Sequence, residues 1–519
     1  MGGYGAMLMK NAMMQFRQPF ASWRVMYAGV FCAMLAGCNV GPRYHPPTET
    51  APGAYEESPT QFKETGGWTV AQPQDAVLRG KWWEIYNEPE LNALEEQLNI
   101  NNQNIQQYFE NFMEARALVR EARAQYFPTV SAGGAYTRSQ TSSNVGPSTG
   151  AGASGGQQSQ LFSLPAEVSW EPDLWGKVRN TVHAAQYNAQ LSAADLENER
   201  LTEQTSLAEY YFEIRGQDAL QKILNDTVAA DKRAVESEQA RYDTGVDDQI
   251  SLVEAQTTLE SAQSAAINLG IARAQYEHAI AMLVGKQASL FSISVEAKTS
   301  APPPIPIGLP SQLLQRRPDV AAAERNMAAA NARIDVAYAA YYPVLTLSGN
   351  GGVESSAIKN LLDASSRFWS VGPSVSELVY DGGLRRATVN QYIATYNANL
   401  AAYRQSVLNA FQQTEDALAA VRILSQQILR QQEAVNSART FLKLEQARYD
   451  TGIDPYIDVV TAQTTLLANQ QTLANLQIEE MTASVQLIEA LGGGWDRSQL
   501  PTPAEVTAKP TKAETTIQK

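Results

Sequence analysis

The octapeptide QARYDTGV at residues 239–246 returns almost unchanged as QARYDTGI at residues 446–453, which is 207 residues later. A second segment, AQTTL, occurs at residues 255–259 and returns at residues 462–466 with the same offset. Self-similarity at a fixed spacing is the mark of a repeated structural unit. The sequence therefore predicts that the chain contains two copies of one unit, and that the octapeptide has the same local structure in both.

Long stretches without helix breakers lead into both copies of the octapeptide. Residues 384–450 contain neither Gly nor Pro, and residues 177–243 contain only Gly216, so each stretch is predicted to form one helix of roughly 100 Å. Apolar residues of the second stretch follow one another at steps of seven, four, seven and three, which is the spacing of a coiled-coil seam: Leu400, Val407, Phe411, Leu418 and Val421. A Gly just after a helix end allows a tight cap, so hairpin tips are predicted at 241–250 and 448–457.

A pair of strands is predicted before each long helix, at about 128–174 and about 343–381, because apolar and polar residues alternate there. Each strand is about ten residues long, which suits a tilted transmembrane strand. Aromatic residues near the strand ends are placed to form interfacial girdles: Tyr136, Trp170, Trp369 and Tyr380. Strands in lipid must close into a barrel and four are too few to enclose a lumen, so the pattern predicts an oligomer. A surface hairpin in a soluble sheet stays open as the alternative.

The N-terminal segment has the features of an export signal. Residues 1–37 carry basic residues and then an apolar run of about 13 residues, which is too short to span a bilayer. The run ends in Leu-Ala-Gly before Cys38, which is similar to a lipobox, where the cysteine thiol receives a covalent lipid such as palmitate. Asn39 is not the Asp of an inner-membrane retention signal, so the predicted destination is the outer membrane. The alternative is that Cys38 is an ordinary residue at the end of the apolar run.

Composition argues against several other classes of function. The formal net charge is −14 and no Lys/Arg-rich run occurs, so no nucleic-acid partner is predicted. The three histidines show no metal-ligand spacing, and the Gly-rich stretch at 146–156 lacks the Gly-Lys-Ser/Thr end of a phosphate loop. Neither catalytic residues, a metal site nor a cofactor other than the lipid is therefore predicted. A structural lipoprotein with a coiled-coil stalk stays open as a rival interpretation.

Four further motifs, taken in their order along the chain, resemble the TolC-like outer-membrane factors and, together with the lipobox, their lipidated OprM-like branch: Lys81-Trp82-Trp83, Asn87-Glu88-Pro89-Glu90-Leu91, Pro172-Asp173-Leu174-Trp175-Gly176 and Arg316-Arg317-Pro318-Asp319-Val320. The resemblance covers nearly all of the mature chain. It implies a mixed α and β membrane protein that forms a homotrimer. Three chains would build one 12-stranded transmembrane β-barrel, with four strands from each, continued by a long periplasmic α-helical coiled-coil barrel.

The resemblance also implies a function. Such a trimer is the exit duct of a tripartite efflux system, in which an inner-membrane RND-type pump and a periplasmic adaptor protein deliver small toxic compounds such as drugs. The duct conducts them passively to the exterior and is held among outer-membrane lipids by its barrel and by the lipid on Cys38. The outer duct of a type I protein secretion system is the alternative within the family. The exported substrate is not encoded in the duct, because selection lies in the pump.

The chain is expected to divide into six parts. A signal peptide at 1–37 precedes a lipidated leader and equatorial segment at 38–88. Two structural repeats, 89–286 and 319–493, are joined by an equatorial linker at 287–318. Residues 494–519 form a C-terminal equatorial segment and tail, and the part from residue 502 onward has too few apolar residues to be expected to fold.

The resemblance assigns roles to residues of the two tips. Contact with the adaptor is assigned to Arg241, Gly245, Val246, Arg448, Gly452 and Ile453. The periplasmic aperture is assigned to Asp458, Thr461, Tyr449, Asp454 and Glu254. Asp458 and Thr461 occupy the positions of narrowing carboxylates, and Tyr449 and Asp454 those of a closing latch. A solvated carboxylate on the outer face of the tip stays open as the alternative for Asp458. Thr461 and Asp454 depart from the family pattern, which has an acid and a basic residue there, so the family's latch salt bridge is put in question. Gating is predicted mainly in the second tip and docking in the first.

Overall fold

The computed structural model describes residues 40–47, 55–56, 80–140, 142, 158–298, 300–305 and 314–509. Its α-helices are α1 (Pro89–Asn101), α2 (Gln103–Ala124), α3 (Lys177–Asp243), α4 (Gln249–Leu283), α5 (Pro318–Ala339), α6 (Leu384–Asp450), α7 (Tyr456–Ala490) and α8 (Pro503–Thr507). Its strands are β1 (Thr129–Ala132), β2 (Ala135–Gln140), β3 (Gln158–Trp170), β4 (Val344–Ser355) and β5 (Arg367–Ser376). In each half, helix, strand pair, long helix and returning helix follow in the same order.

The long helices form two antiparallel hairpins that lie side by side. Both α3 and α6 contain 67 residues, and both α4 and α7 contain 35. The main contacts join α3 to α4, α6 to α7 and α3 to α7. The lateral order is therefore α4, α3, α7, α6, so α4 and α6 form the two edges of the layer.

Gly216 is the one glycine inside α3, and the packing of α7 explains it. A Cβ atom added at Gly216 would lie 2.2 Å from Cδ1 of Ile478, which no side chain could tolerate without displacement. The helices thus approach closely at this level, where Leu220 packs with Ala474 and Ile478. Glycine lowers helix propensity, and here that cost is offset by tight contact between the two hairpins.

The strands form one antiparallel sheet in which the order is β1/β2, β3, β4, β5. The segments β1 and β2 both pair with β3, and the break between them lies at Gly133, whose amide donates to the carbonyl of Pro165 at 3.0 Å. The chain thus supplies four strand positions. Because β1/β2 and β5 each have a neighbour on one side only, the sheet is open at both edges.

Between the sheet and the tips, the described residues form a broad apolar core. Trp82, Trp83 and the leading helix α1 pack there against α3 and α7, together with Ile293 of the linker. Arg215 and Arg273 hold the linker through the carbonyls of Ser294 (2.6 Å) and Ile293 (2.9 Å). The linker is therefore bound along the first repeat by backbone contacts.

The C-terminal stretch departs from the expectation that it would not fold. Residues Pro503–Thr507 form α8, which begins with a capping box between Thr502 and Glu505. Val506 is fully buried against Val119 and Ala189. One apolar residue in a capped turn is enough to dock on an existing surface, although it is too little to drive folding alone.

Across the part of the chain that the structure describes, no helix is both long and apolar enough for a membrane span. The signal segment and Cys38 lie outside the described residues. Three residues of the predicted coiled-coil seam, Val407, Leu418 and Val421, are buried.

Candidate functional site

Both copies of the repeated octapeptide end a long helix in the same way. In the first tip the amides of Gly245 and Val246 donate to the carbonyls of Tyr242 and Arg241, each at 2.9 Å. These are the two bonds of a Schellman motif, which needs a left-handed residue after the helix. Gly245 has φ of 71° and thus meets this requirement without strain.

The second tip repeats this geometry. The amides of Gly452 and Ile453 donate to the carbonyls of Tyr449 (2.8 Å) and Arg448 (3.0 Å), and Gly452 has φ of 73°. The repeated sequence thus gives the long helix the same C-terminal cap in both tips. The chain then turns back at once, with different caps: in the first tip the Asp248 side chain accepts from two amides of α4, whereas Pro455 precedes α7.

Tyr449 joins the two tips. Its hydroxyl lies 2.5 Å from Oε2 of Glu238 and 2.8 Å from Oδ2 of Asp247, both in the first hairpin, and its single proton is donated to one of them at a time. The Arg241 guanidinium lies 4.7 Å from the centre of the Tyr449 ring and completes the contact. Tyr449 is 5% exposed and packs with Tyr456 and Val459, so the link is shielded from water.

The two carboxylates that lie next to the Tyr449 hydroxyl have different environments. Burial raises the pKa of Glu238, although the Tyr449 hydroxyl and Arg241 oppose that effect. Partial burial also tends to raise the pKa of Asp247. Hydrogen bonds from Tyr449, from the Asp248 amide and from the Ser251 hydroxyl outweigh it and lower that pKa overall. Burial and the hydrogen bond to Glu238 raise the pKa of Tyr449, so this side chain stays a neutral donor.

Asp454 forms its ion pair within the second tip and not across the tips. Arg448 donates to it from Nη2 at 2.8 Å and also from Nε, and these bonds lower the pKa of Asp454. Glu445 and Asp458 lie next to it, with carboxylate oxygens of all three within 4.8 Å of one another. Burial and the adjacent Asp454 raise the pKa of Glu445. An acidic patch thus surrounds one arginine at this tip.

For the remaining predicted aperture residues, Thr461 and Glu254, the structure gives no hydrogen bond or ion pair between the tips within the described part of the chain. The hydroxyl of Thr461 donates to the carbonyl of Ile457 in its own helix at 2.8 Å. Glu254 is half-buried on α4, where its charge reaches Tyr456. The interaction partners that were not predicted from the sequence are Glu238 and Asp247. These acidic residues lie on either side of the first octapeptide and recur as Glu445 and Asp454 at the same offset of 207 residues.

The predicted docking residues differ in how far they are accessible. Val246 and Ile453 are 67% and 66% exposed at the extreme ends of the hairpins, next to the equally exposed Ile250. Arg448 is about half exposed, whereas Arg241 is held against Tyr449. The tips therefore expose the apolar side chains of Val246 and Ile453 at their ends, whereas Arg241 is packed between the hairpins.

The sheet has two chemically different faces. Register places one set of mainly apolar side chains on one face: Val130, Ala132, Tyr136, Phe162, Leu164, Ala166, Val168, Trp170, Leu345, Leu347, Val353, Trp369, Val371 and Val375. The opposite face is mainly small and polar, with Leu161, Val344 and Phe368 as the larger apolar exceptions: Thr129, Ser131, Ser163, Glu167, Ser169, Thr346, Ser348, Asn350, Glu354, Ser370, Ser374 and Ser376. The apolar face is uncovered, since Trp369 and Val371 are 81% and 78% exposed.

The chain is similar to known proteins over most of its length. It is 27% identical over 470 residues to the toluene efflux pump outer membrane protein TtgC of Pseudomonas putida, which covers 89% of this chain and 94% of that protein. It is 26% identical to the cation efflux system protein CusC of Escherichia coli, covering 90% and 98% of the two chains. Among solved structures, the outer-membrane channel OprN superposes with a TM-score of 0.78 at 26% identity, over 88% of this chain and 100% of that one.

The model of one family matches both repeats. The outer membrane efflux protein family accounts for residues 94–286 and 309–493, which are the two copies of helix, strand pair and helical hairpin. The predicted fold of strands continued by a helical layer is confirmed by this match and by the superposition. The chain belongs to the outer membrane efflux protein family.

Proposed function

We propose that this chain forms the outer-membrane exit duct of a tripartite efflux system and conducts small toxic compounds passively, without catalytic activity. The two-faced sheet carries the proposal. A sheet whose uncovered face is apolar suits lipid, and its polar face suits a water-filled lumen. Relatives named for efflux of toluene and of cations are similar to this chain over about nine tenths of its length, which supports selection of the substrate by the pump and not by the duct.

The duct would be a homotrimer. Both layers of the chain have two open edges. In the sheet these are β1/β2 and β5, and in the helical layer they are α4 and α6. Exposed apolar side chains lie on both edge helices: Val253, Ile267, Ile271, Ile423, Leu429, Phe441 and Leu444. Because one edge differs from the other, the contact is head to tail and closes by rotation. Three copies would supply twelve strand positions, which close a barrel with a lumen.

The adaptor would dock on the tips and the pump would feed the duct through it. The exposed side chains of Val246 and Ile453 would fit a small apolar groove on a helical hairpin of the adaptor. The Tyr449 link then holds the tips together until docking separates them. The acidic patch at Asp454, Glu445 and Asp458 would favour cations and repel anions at the mouth.

A covalent lipid on Cys38 would be a second anchor. Residues 40–47 lie along α5: the Tyr44 hydroxyl donates to Glu324, and the carbonyl of Pro42 accepts from Asn331 at 3.2 Å. Gly41 packs against Asp335, nearer the end of α5 that leads into the sheet. The leader thus runs toward the membrane end of the chain as it approaches Cys38.

Cys38→Ser is expected to leave an uncleaved precursor at the inner membrane, because serine lacks the thiol that accepts the lipid. Labelling with radioactive palmitate and separation of inner and outer membranes would measure this. Cys32→Ser is the matched control, since it changes the other cysteine within the apolar run of the signal. Normal maturation and sorting of the Cys38 variant would rule out the lipid anchor.

Deletion of the gene is expected to lower the tolerance of cells to a panel of solvents and antibiotics severalfold, and expression in trans should restore it. Minimum inhibitory concentrations measure the effect. The same strain should secrete its proteins normally. Loss of a secreted protein with unchanged tolerance would favour the type I secretion duct instead.

A further inference from the structure

A buried carboxylate lies between the two helical hairpins, above the tips. Along α3, Asp231, Val235 and Glu238 follow at steps of four and three, which places them on one face of the helix. Along α7, Tyr456, Val459 and Gln463 follow at steps of three and four. Val235 packs in one cluster with Tyr456 and Val459. Because the two helices are antiparallel, Asp231 comes next to Gln463, one turn further from the tips.

The same register holds further from the tips in this helix pair. Gly216 of α3 contacts Ile478 of α7. Asp231 is 15 residues further along α3, and Gln463 is 15 residues back along α7. Equal steps in opposite directions keep two antiparallel helices level. The two polar residues therefore lie at the same height.

Both facing residues have an oxygen that lacks a donor. Asp231 is 2% exposed. Within the described residues, neither Oδ2 of Asp231 nor Oε1 of Gln463 has a hydrogen-bond partner, and both atoms are buried. Two buried acceptors at the same height between the same two helices are unfavourable, since each has lost its water. When the Gln463 carboxamide turns its oxygen toward Asp231, a single proton on the carboxyl group converts one acceptor into a donor and satisfies both.

We propose that Asp231 carries a proton when the two hairpins are closed and donates it to Oε1 of Gln463, so that ionisation of Asp231 weakens the tie between the hairpins. The inference rests on the proposed function, in which separation of the hairpins opens the duct. It adds a pH-sensitive closing contact two helical turns further from the tips than the Tyr449 link.

The surroundings of Asp231 favour its neutral form. Asp231, Glu238 on α3 and Glu254 on α4 all lie close enough to Tyr456 on α7 to act on its charge, and Tyr449 on α6 packs against Tyr456. None of these groups is a cation. Arg241, a cation among the described residues of the tips, lies against Tyr449 and near Glu238. Lys232 and Arg233 are exposed to solvent. Burial raises the pKa of Asp231 from 3.8 to about 6.

The sign of the pH effect follows from this rise. The closed contact is fully stabilised when Asp231 is protonated, below its ordinary pKa, and the stabilisation is lost as pH rises through about 6. An opened hairpin pair hydrates the carboxylate and returns its pKa toward the ordinary value. The ratio of closed to open duct is expected to fall on the order of tenfold between about pH 5 and about pH 7.5.

Planar-bilayer recordings of the purified full-length protein test the proposal. The open fraction of the unmodified duct should rise from about pH 5 to about pH 7.5. Asp231→Asn should remove most of this rise and keep the duct closed, because a carboxamide donates to Gln463 at every pH. Asp231→Leu, which offers no donor, should also remove the rise but give a more open duct.

The matched control is Asp226→Asn, which changes an exposed aspartate of the same helix that pairs with Lys222 at 2.9 Å. It should retain the pH response. An unchanged pH response in Asp231→Asn, or an equal loss in Asp226→Asn, would overturn the proposal. Absence of any conductance from the unmodified protein would count against the proposed function itself, so the two failures are distinguishable.

Discussion

Replacing Ile267 and Ile271 of α4 with glutamate is expected to abolish the trimer and, with it, the duct. Both side chains are exposed in the single chain, at 78% and 60%, on an edge helix that has one lateral neighbour. In the trimer they would pack against α6 of the next copy. Burying an unpaired carboxylate there costs several kcal/mol per site, and the contact occurs three times in a closed ring.

The measurement is electrophoresis of unboiled detergent samples, together with light scattering. The unmodified protein should migrate as a trimer and the double variant as a monomer that lacks channel activity. Ala229→Glu is the matched control, because Ala229 is exposed on α3, which has a helix on both sides. A trimer that survives in the Ile267 and Ile271 double variant would show that α4 is not part of the contact. Ile267→Leu should retain the trimer.

Tyr449→Phe is expected to open the duct. The variant keeps the aromatic ring and its packing but leaves Glu238 buried without the hydroxyl that lies 2.5 Å from it. An unsatisfied buried acceptor costs about 1–3 kcal/mol, which corresponds to a shift of roughly 5- to 150-fold toward separated tips. Conductance in planar bilayers should rise, and cells should become more sensitive to large antibiotics that enter through the open duct.

The internal repeat supplies a matched control. Tyr242 occupies the same position of the octapeptide in the first tip but is 42% exposed, and Tyr242→Phe should leave conductance unchanged. Equal effects of the two substitutions would mean that the tyrosines act through the helix end and not through the link between the hairpins. The comparison therefore isolates the contact made by Tyr449.

Much of the architecture was predictable because it depends on local chemistry. A stretch of 67 residues with neither glycine nor proline contains no helix breaker and can continue as one helix, and alternation of apolar and polar residues is typical of a two-faced strand. The break in the first strand at Gly133 was not predictable, since it depends on how β1 and β2 share β3. The docking of Val506 escaped prediction for a similar reason: its burial depends on the groove formed by α2 and α3.

The repeated octapeptide shows most clearly which features depend on the local sequence and which depend on contacts with distant residues. Both copies end a helix with glycine in the left-handed conformation because the Schellman bonds join residues within six positions of each other, so the local sequence is sufficient to predict this ending. What the side chains of the same octapeptide contact depends on how the two hairpins pack. Tyr449 becomes a buried donor between hairpins while Tyr242 stays exposed, and Arg241 packs on Tyr449 while Arg448 pairs with Asp454. The contacts of Tyr449 with Glu238, Asp247 and Arg241 join residues about 200 positions apart, and no local pattern records them.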